Sequence, residues 1–229
     1  MRILALDTST EWCSAALGDG GQWHVREGHA GALHSEHLLP MVRSLLADGG
    51  LSFANLDGIA FGAGPGSFTG IRVGCGVAQG LAFGADLPVV GVSTLEALAQ
   101  EARRAHGWQR VFACLDARMR EVYAAAYEAE GMRWRAIVEP MVARPVDLAA
   151  ANQADAGAGN GFAAYPALAK QLGLTAVDAE LRPTARAVGE LALPELAAGR
   201  GVPAAEALPT YVRQRVALTT AERDAGMRL

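Results

Sequence analysis

The chain is poor in cysteine, in net positive charge and in uninterrupted apolar sequence, and each shortage excludes something. Only three cysteines occur among 229 residues (Cys13, Cys75 and Cys114), isolated and odd in number. None forms a Cys-x-x-Cys pair, so they read as reduced thiols of a cytosolic protein rather than a disulfide framework. The net charge is −4 and the pI about 5.7. A protein that grips RNA or DNA alone carries a basic face, so independent nucleic-acid binding is disfavoured. The longest apolar-looking stretch is crowded with glycine and broken by Arg72, which argues against a membrane span. Met1-Arg-Ile-Leu-Ala-Leu-Asp7 turns acidic too soon for a signal peptide. What remains is ample material for a core: hydrophobic residues make up 51% of the chain. That is enough for one large domain or two small ones, and global disorder is not expected.

Glycine is what the chain has most conspicuously, in Phe61-Gly-Ala-Gly-Pro-Gly-Ser-Phe-Thr-Gly70 and on through Gly74, Gly76 and Gly80. An apolar run ends in a loop of small residues and a helical pattern follows, the arrangement in which backbone N–H groups can face an anion. The lysine and spacing of a phosphate-binding Walker loop are absent, so Gly64, Gly66 and Ser67 are weak phosphate candidates. Glycines 74, 76 and 80 fall inside the helix, where each costs about 1 kcal/mol relative to alanine. Close approach of another helix is the available compensation. At 3.6 residues per turn, Gly70, Val73, Gly74, Val77, Gly80, Leu81 and Gly84 form one broad face, bordered by Ile71 and Ala78, with polarity only at Arg72 and Gln79. A core helix explains such a face. So does a helix with one side on its own sheet and the other on a second protein.

Around that stretch the pattern is α/β. Arg2–Leu6 reads as a strand ending at Asp7-Thr-Ser-Thr10, Trp12–Leu17 as its antiparallel return and Trp23–Arg26 as a third strand. Ser35 is placed to cap a helix through Asp48, with Leu38, Leu39, Val42, Leu45 and Leu46 on one face and Pro40 near the first turn. Leu56–Phe61 and Pro88–Val92 read as strands, and Ser93-x-x-Glu96 is a capping box for a helix to about Ala105. The design then restarts. Val111–Leu115 ends at Asp116, and Val122–Tyr127 returns; further on, Gly157-Ala-Gly-Asn-Gly161 echoes Gly62-Ala-Gly-Pro-Gly66. These ordered echoes predict an internal duplication into two α/β lobes. Met132–Val138 reads as a strand with Pro140 and Pro145 at its exit. Ala163–Leu172 and Ala185–Ala198 read as helices, the second bent or split at Pro194. The expected division is 1–106 and 107–216, with a frayed tail at 217–229.

Paired lobes with an aspartate closing each first strand resemble the actin, sugar-kinase and Hsp70 superfamily. More narrowly, Leu4-Ala-Leu-Asp7-Thr-Ser-Thr10, Gly64-Pro-Gly-Ser-Phe-Thr-Gly-Ile-Arg-Val-Gly74, Asp116-Ala-Arg118 and Glu121-Val-Tyr123 are similar to the bacterial TsaB (YeaZ) family. His34-Ser-Glu36 with Leu38-Leu39-Pro40, and Pro209-Thr-Tyr-Val-Arg213, carry the same likeness. It is dense to about Tyr127 and thin beyond. The resemblance implies two actin-like (ribonuclease H-like) lobes, each opening with a β-hairpin. It also implies a cytoplasmic, non-catalytic role in making threonylcarbamoyladenosine in tRNA. The implied partners are a TsaD-type transferase and a TsaE-type ATPase, with a homodimer when the transferase is absent and tRNA reached only through the complex. ATP, ADP and metal would belong to the partners.

TsaD-like relatives hold metal with two histidines four apart in a stretch resembling Val-Asn-His-Leu-Glu-Gly-His. The corresponding residues here are Val92-Ser-Thr-Leu-Glu-Ala-Leu98, with Thr94 and Leu98 at the histidine places. The interface implied through the N-terminal lobe comprises Leu38, Leu39, Val42, Leu45, Phe68, Arg72, Gly74, Val77 and Leu81, and Gly74→Trp is expected to weaken pairing more than folding. The rival expectation is a nucleotide-dependent phosphotransferase or hydrolase using Asp7 and Asp116, with Thr8, Gly64, Gly66, Ser67, Gly159 and Gly161 as phosphate loops, intact or vestigial. His24, His29, His34 and His37 match no metal pattern. Ser67 and Thr69 lack an identifiable base, and Arg118 with Arg120 reads as a solvated turn.

Overall fold

The computed structural model describes residues 1–19, 21–148 and 153–213; the tail expected at 217–229 lies outside them. The first half runs β1 (Arg2–Asp7), β2 (Trp12–Asp19), β3 (Gln22–His29), α1 (His34–Asp48), β4 (Gly58–Gly64), α2 (Phe68–Ala85), β5 (Val89–Ser93) and α3 (Thr94–His106). The second runs β6 (Arg110–Asp116), β7 (Val122–Glu130), β8 (Arg133–Ala143), β9 (Ala156–Ala158), α4 (Gly161–Ala164), α5 (Ala167–Gln171), β10 (Ala176–Asp178) and α6 (Ala185–Ala197).

The duplication is explicit in the sheets. One has the order β3-β2-β1-β4-β5 and the other β8-β7-β6-β9-β10, the same sequence of roles in each lobe. Each opens with antiparallel hairpins (Leu4 opposite Leu17, Phe112 opposite Ala126) and continues with a parallel strand (Leu4 beside Ile59, Phe112 beside Gly157). Alternating side chains of β1 serve both faces of the first sheet. Leu4 and Leu6 pack with α1 and α2, while Ile3 and Ala5 pack with α6.

The strands divide on either side of residue 106, but the helices next to that boundary cross it. From α3, Leu95, Leu98, Ala99 and Ala102 pack against Val111, Ala113 and Leu115 of the second sheet. In return Ala185, Val188, Leu191 and Ala192 of α6 cover Ile3, Ala5, Ala16 and Ala60 of the first. The exchange is pinned by Glu101, 2% exposed, which accepts from Thr184 Oγ1 and pairs with Arg104. Thr184 in turn caps α6 by accepting from Ala187 N.

Some local expectations are corrected. Ser35 does not cap α1: the N-cap is Leu33, without a side-chain bond, and His34 is buried with Nε2 2.8 Å from the Thr10 carbonyl. Strand β8 continues past Pro140 at the sheet edge, where the register with β7 shifts (Ala124 faces Met141, Ala126 faces Val138), an irregularity that accommodates a residue without an N–H. Tyr165-Pro166 splits the helix expected over 163–172 into α4 and α5. Pro194 leaves α6 a single helix. No helix among the described residues is long and apolar enough to cross a membrane.

Candidate functional site

The ends of β1, β4, β6 and β9 meet at a cleft of about 520 Å³ between the lobes, whose lining includes Ser9, Ser67, Asp116, Arg118, Asn160 and Tyr211. Asp7 is absent from that lining. It is 1% exposed, and Ser9 engages it through Oγ (2.9 and 3.1 Å to the two carboxylate oxygens) and backbone N–H (3.2 Å to Oδ1). Behind it, Gly62 leaves no room for a Cβ beside the Asp7 carboxylate. Burial pushes the Asp7 carboxyl up to about 6, with the Ser9 bonds pulling the other way.

Asp116 occupies the matching place in the second lobe but opens to the cleft. Its N–H donates to Asn160 Oδ1 at 2.9 Å, and its carboxylate accepts from Arg118 N–H at 3.0 Å and pairs with the Arg118 guanidinium at 3.4 Å. Arg118 also reaches Glu11 of the first lobe at 2.8 Å. The turn expected at Arg118 and Arg120 is thus an inter-lobe tie. Its backbone is left-handed at three successive non-glycine residues, Arg118, Met119 and Arg120, with φ of 59°, 52° and 62°.

The two glycine loops are built alike. Gly64 and Gly159 both stand at φ +109°, a conformation that favours glycine. Gly66 closes on the Ser9 carbonyl and Gly161 on Cys114. Ser67 caps α2, accepting from Gly70 N–H at 3.3 Å, and Thr8 Oγ1 donates to the Gly70 carbonyl at 2.8 Å. Thr94 and Leu98, where the resemblance sets metal histidines in TsaD-like relatives, hold these loops. Thr94, fully buried, accepts from Gly64 N–H at 3.1 Å, and Leu98 packs so tightly that a Cβ on Gly159 would come within 2.6 Å of its methyl group. Leu98 has no donor atom and the Thr94 hydroxyl is already engaged, so a metal ion does not fit there. Among the described residues no three His, Cys, Asp or Glu side chains gather closely enough to ligate one.

The expected interface face of α2 and α1 is redrawn by burial. Leu38, Val42 and Leu45 are at most 1% exposed and belong to the core with Cys75, Ala78 and Ala82. Gly74 faces inward too, because a Cβ there would lie 2.6 Å from Thr8 Oγ1. Val77 and Leu81 are half-buried against the same cluster. The outward stripe is Thr69, Arg72, Gly76, Gly80, Phe83 and Gly84, with Phe68 at its start. Gly76, Gly80 and Gly84 look into open space, Phe83 is 80% exposed, and Leu39 is the expected α1 residue that stays accessible. Helical phase already separates Gly74 from Gly76; which side meets the core is fixed by the buried Ile71, Cys75 and Ala78, and it is the Gly74 side.

Pro209–Arg213, one of the family-like motifs, lies in the segment Ala207–Arg213, whose contacts spacing does not announce. This segment runs along α2 from beyond its middle toward its N-terminal end: Gln79 Nε2 donates to the Ala207 carbonyl at 2.8 Å, Thr210 N–H to the Ala63 carbonyl at 2.8 Å, and Arg72 Nε to Tyr211 Oη at 2.8 Å. Arg213 then grips Glu121 at 2.6 Å in the other lobe.

The chain matches the family model described as TsaD: tRNA N6-adenosine threonylcarbamoyltransferase over residues 28–222. It is 42% identical over 223 residues to the tRNA threonylcarbamoyladenosine biosynthesis protein TsaB of Escherichia coli K12, covering 95% of this chain and 96% of that one. The Haemophilus influenzae protein of the same name is 43% identical, with 94% and 95% covered. Among solved structures, YeaZ from Pseudomonas aeruginosa superposes with a TM-score of 0.84 at 42% identity, over 92% of this chain and 99% of that chain.

Proposed function

The chain belongs to the TsaB family, within the wider TsaD family, and from that membership we propose that it is a non-catalytic subunit in tRNA threonylcarbamoyladenosine biosynthesis. Relatives named for that pathway support the general role. On this reading, the chain works in the cytoplasm by docking a TsaD-type transferase, joined by a TsaE-type ATPase, and forms a homodimer when the transferase is absent. It needs no metal or nucleotide of its own; these belong to the partners, and tRNA is met through the assembled complex.

The observation that carries this reading is the outward side of α2. Three glycines in mid-helix and late helix, each costing about 1 kcal/mol, face empty space beside an 80%-exposed Phe83. A lone folded domain gains nothing from that combination. A second helix can approach such a stripe closely and remove Phe83 and Leu39 from water, at about 25 cal/mol per Å² of apolar surface. The site chemistry agrees: Asp7 is sealed by Ser9, and the histidine places are filled by residues bracing the glycine loops.

Analytical ultracentrifugation of the chain alone and with a TsaD-type protein tests it. Wild type should associate, and Gly80→Trp, where a Cβ meets nothing among the described residues, should fold normally and stay monomeric. Equal association by both would refute the docking face. The rival reading, phosphotransfer or hydrolysis by Asp7 and Asp116, draws on the 520 Å³ cleft and on Asp116, which lines it with a half-buried side chain. It requires ATP binding that Asp7→Ala abolishes, which calorimetry on the isolated chain decides.

A further inference from the structure

The segment Ala207–Arg213 touches both the outward side of α2 and the far wall of the cleft. At one end, Arg72 donates from Nε to Tyr211 Oη at 2.8 Å while its guanidinium lies 3.6 Å from the centre of the Phe68 ring, and the Phe68 and Tyr211 rings meet at 6.1 Å. In mid-segment, Thr210 N–H is fixed to β4 through Ala63. At the other end Arg213, its side chain 12% exposed, donates to Glu121 Oε2 at 2.6 Å, to the Ala117 carbonyl at 3.1 Å and to Met119 Sδ at 3.4 Å. Ala117 and Glu121 flank the left-handed turn Arg118–Arg120, and Met119 is its middle residue. Three successive non-glycine residues hold such a conformation only when their surroundings enforce it. Arg213 and the Glu11–Arg118 pair are the enforcing contacts that reach the turn from outside its hairpin.

We propose that Ala207–Arg213 is a strap that reports occupancy of the α2 face to the inter-lobe cleft. Arg72 is its sensing end, and the Arg213 grip on the turn Ala117–Glu121 is its acting end. The inference rests on the docking reading for its trigger. Arg72 lies on the outward stripe, so a partner helix competes with Tyr211 for its guanidinium. Loss of that bond frees Tyr211, slackens the two-residue link to Arg213 and lets the turn leave its left-handed state, which widens the cleft on the Asp116 side. Arg213 Nε has no hydrogen-bond partner among the described residues, a cost that the gripped state carries. The two sites and two states that coupling requires are then the α2 face and the cleft, with the turn gripped or released.

Hydrogen–deuterium exchange on the full chain reads this at the Ala117 and Glu121 amides, whose bonds to the Glu121 and Arg118 carbonyls close the turn. Arg213→Gln sets the fully released rate. Arg72→Ala and Tyr211→Phe, both far from the turn in sequence, should each accelerate exchange there by about five- to tenfold, the low end of ordinary site-to-site coupling. Raising the protein concentration until the wild type associates should do the same, whereas simple burial would slow exchange. The strap is overturned if Arg213→Gln accelerates exchange while Arg72→Ala and Tyr211→Phe leave it unchanged, or if association slows it. Sedimentation of the same samples keeps the two ideas apart. A turn that responds to Arg72→Ala in a chain that associates neither with itself nor with an added TsaD-type protein leaves the strap's linkage standing and removes the docking reading. An associating chain with an unresponsive turn does the reverse.

Discussion

The two sides of α2 put the same residue to opposite uses. On the inward side, Gly70 and Gly74 are glycine because Thr8 leaves no room: its carbonyl crowds one and its hydroxyl the other. On the outward side, Gly76, Gly80 and Gly84 are glycine with nothing near them. Inward, the missing side chain is explained by the chain's own packing, which draws β1 close enough to seal Asp7. Outward, no contact among the described residues explains it, and close approach of another molecule is the explanation that the docking reading supplies. The comparison can be broken at either side.

The largest effect is expected inward. Gly74→Trp should not merely weaken pairing; it should unfold the protein or cost about 4 kcal/mol or more, against a total of about 5–15 kcal/mol for a domain. Urea unfolding followed by circular dichroism measures this, and a stably folded Gly74→Trp monomer would erase the distinction. Next comes the buried aspartate behind that packing. The folded-state carboxyl of Asp7 is raised from 3.8 to about 6, so the neutral form is favoured in the fold. Its contribution is full below the unfolded value and is lost as pH rises through about 6, by up to about 3 kcal/mol. Glu96, raised to about 7 first by burial and then by Glu195, extends the same slope upward. Unfolding midpoints between pH 4 and 8 should therefore fall with pH. Asp7→Asn should flatten the lower part of that fall and Glu96→Gln the upper part.

What is legible in the sequence follows the same division. The glycine loops, the terminal aspartates and the duplication were legible because each is written in order along the chain and repeated. The β9 and β10 strands were not, since three residues such as Ala156–Ala158 carry no alternation to detect. The exchange of α3 and α6 between sheets is a long-range choice that apolar faces alone do not specify. Leu38, Leu39, Val42 and Leu45 looked like one stripe because all are apolar; packing keeps three and leaves Leu39 38% exposed. Nor could spacing assign Tyr211 and Arg213, whose partners lie 139 and 92 residues away.

Outward, the expected effects are smaller and more discriminating. Gly80→Trp should leave unfolding unchanged while weakening association by at least about tenfold, or 1.4 kcal/mol, by sedimentation. The smallest perturbation is Gly76→Ala. With nothing within 4 Å of the new methyl group, only helix propensity acts in the monomer. The substitution should raise stability by about 1 kcal/mol and the melting temperature by about 2–4 °C for a chain of this length. If the glycine is kept for close approach of a partner helix, the same methyl group must hinder association. A more stable monomer that associates less well is the outcome in which the two effects separate. A more stable protein that associates as before would mean that the outward glycines serve no contact, and the asymmetry of α2 would lose its functional meaning.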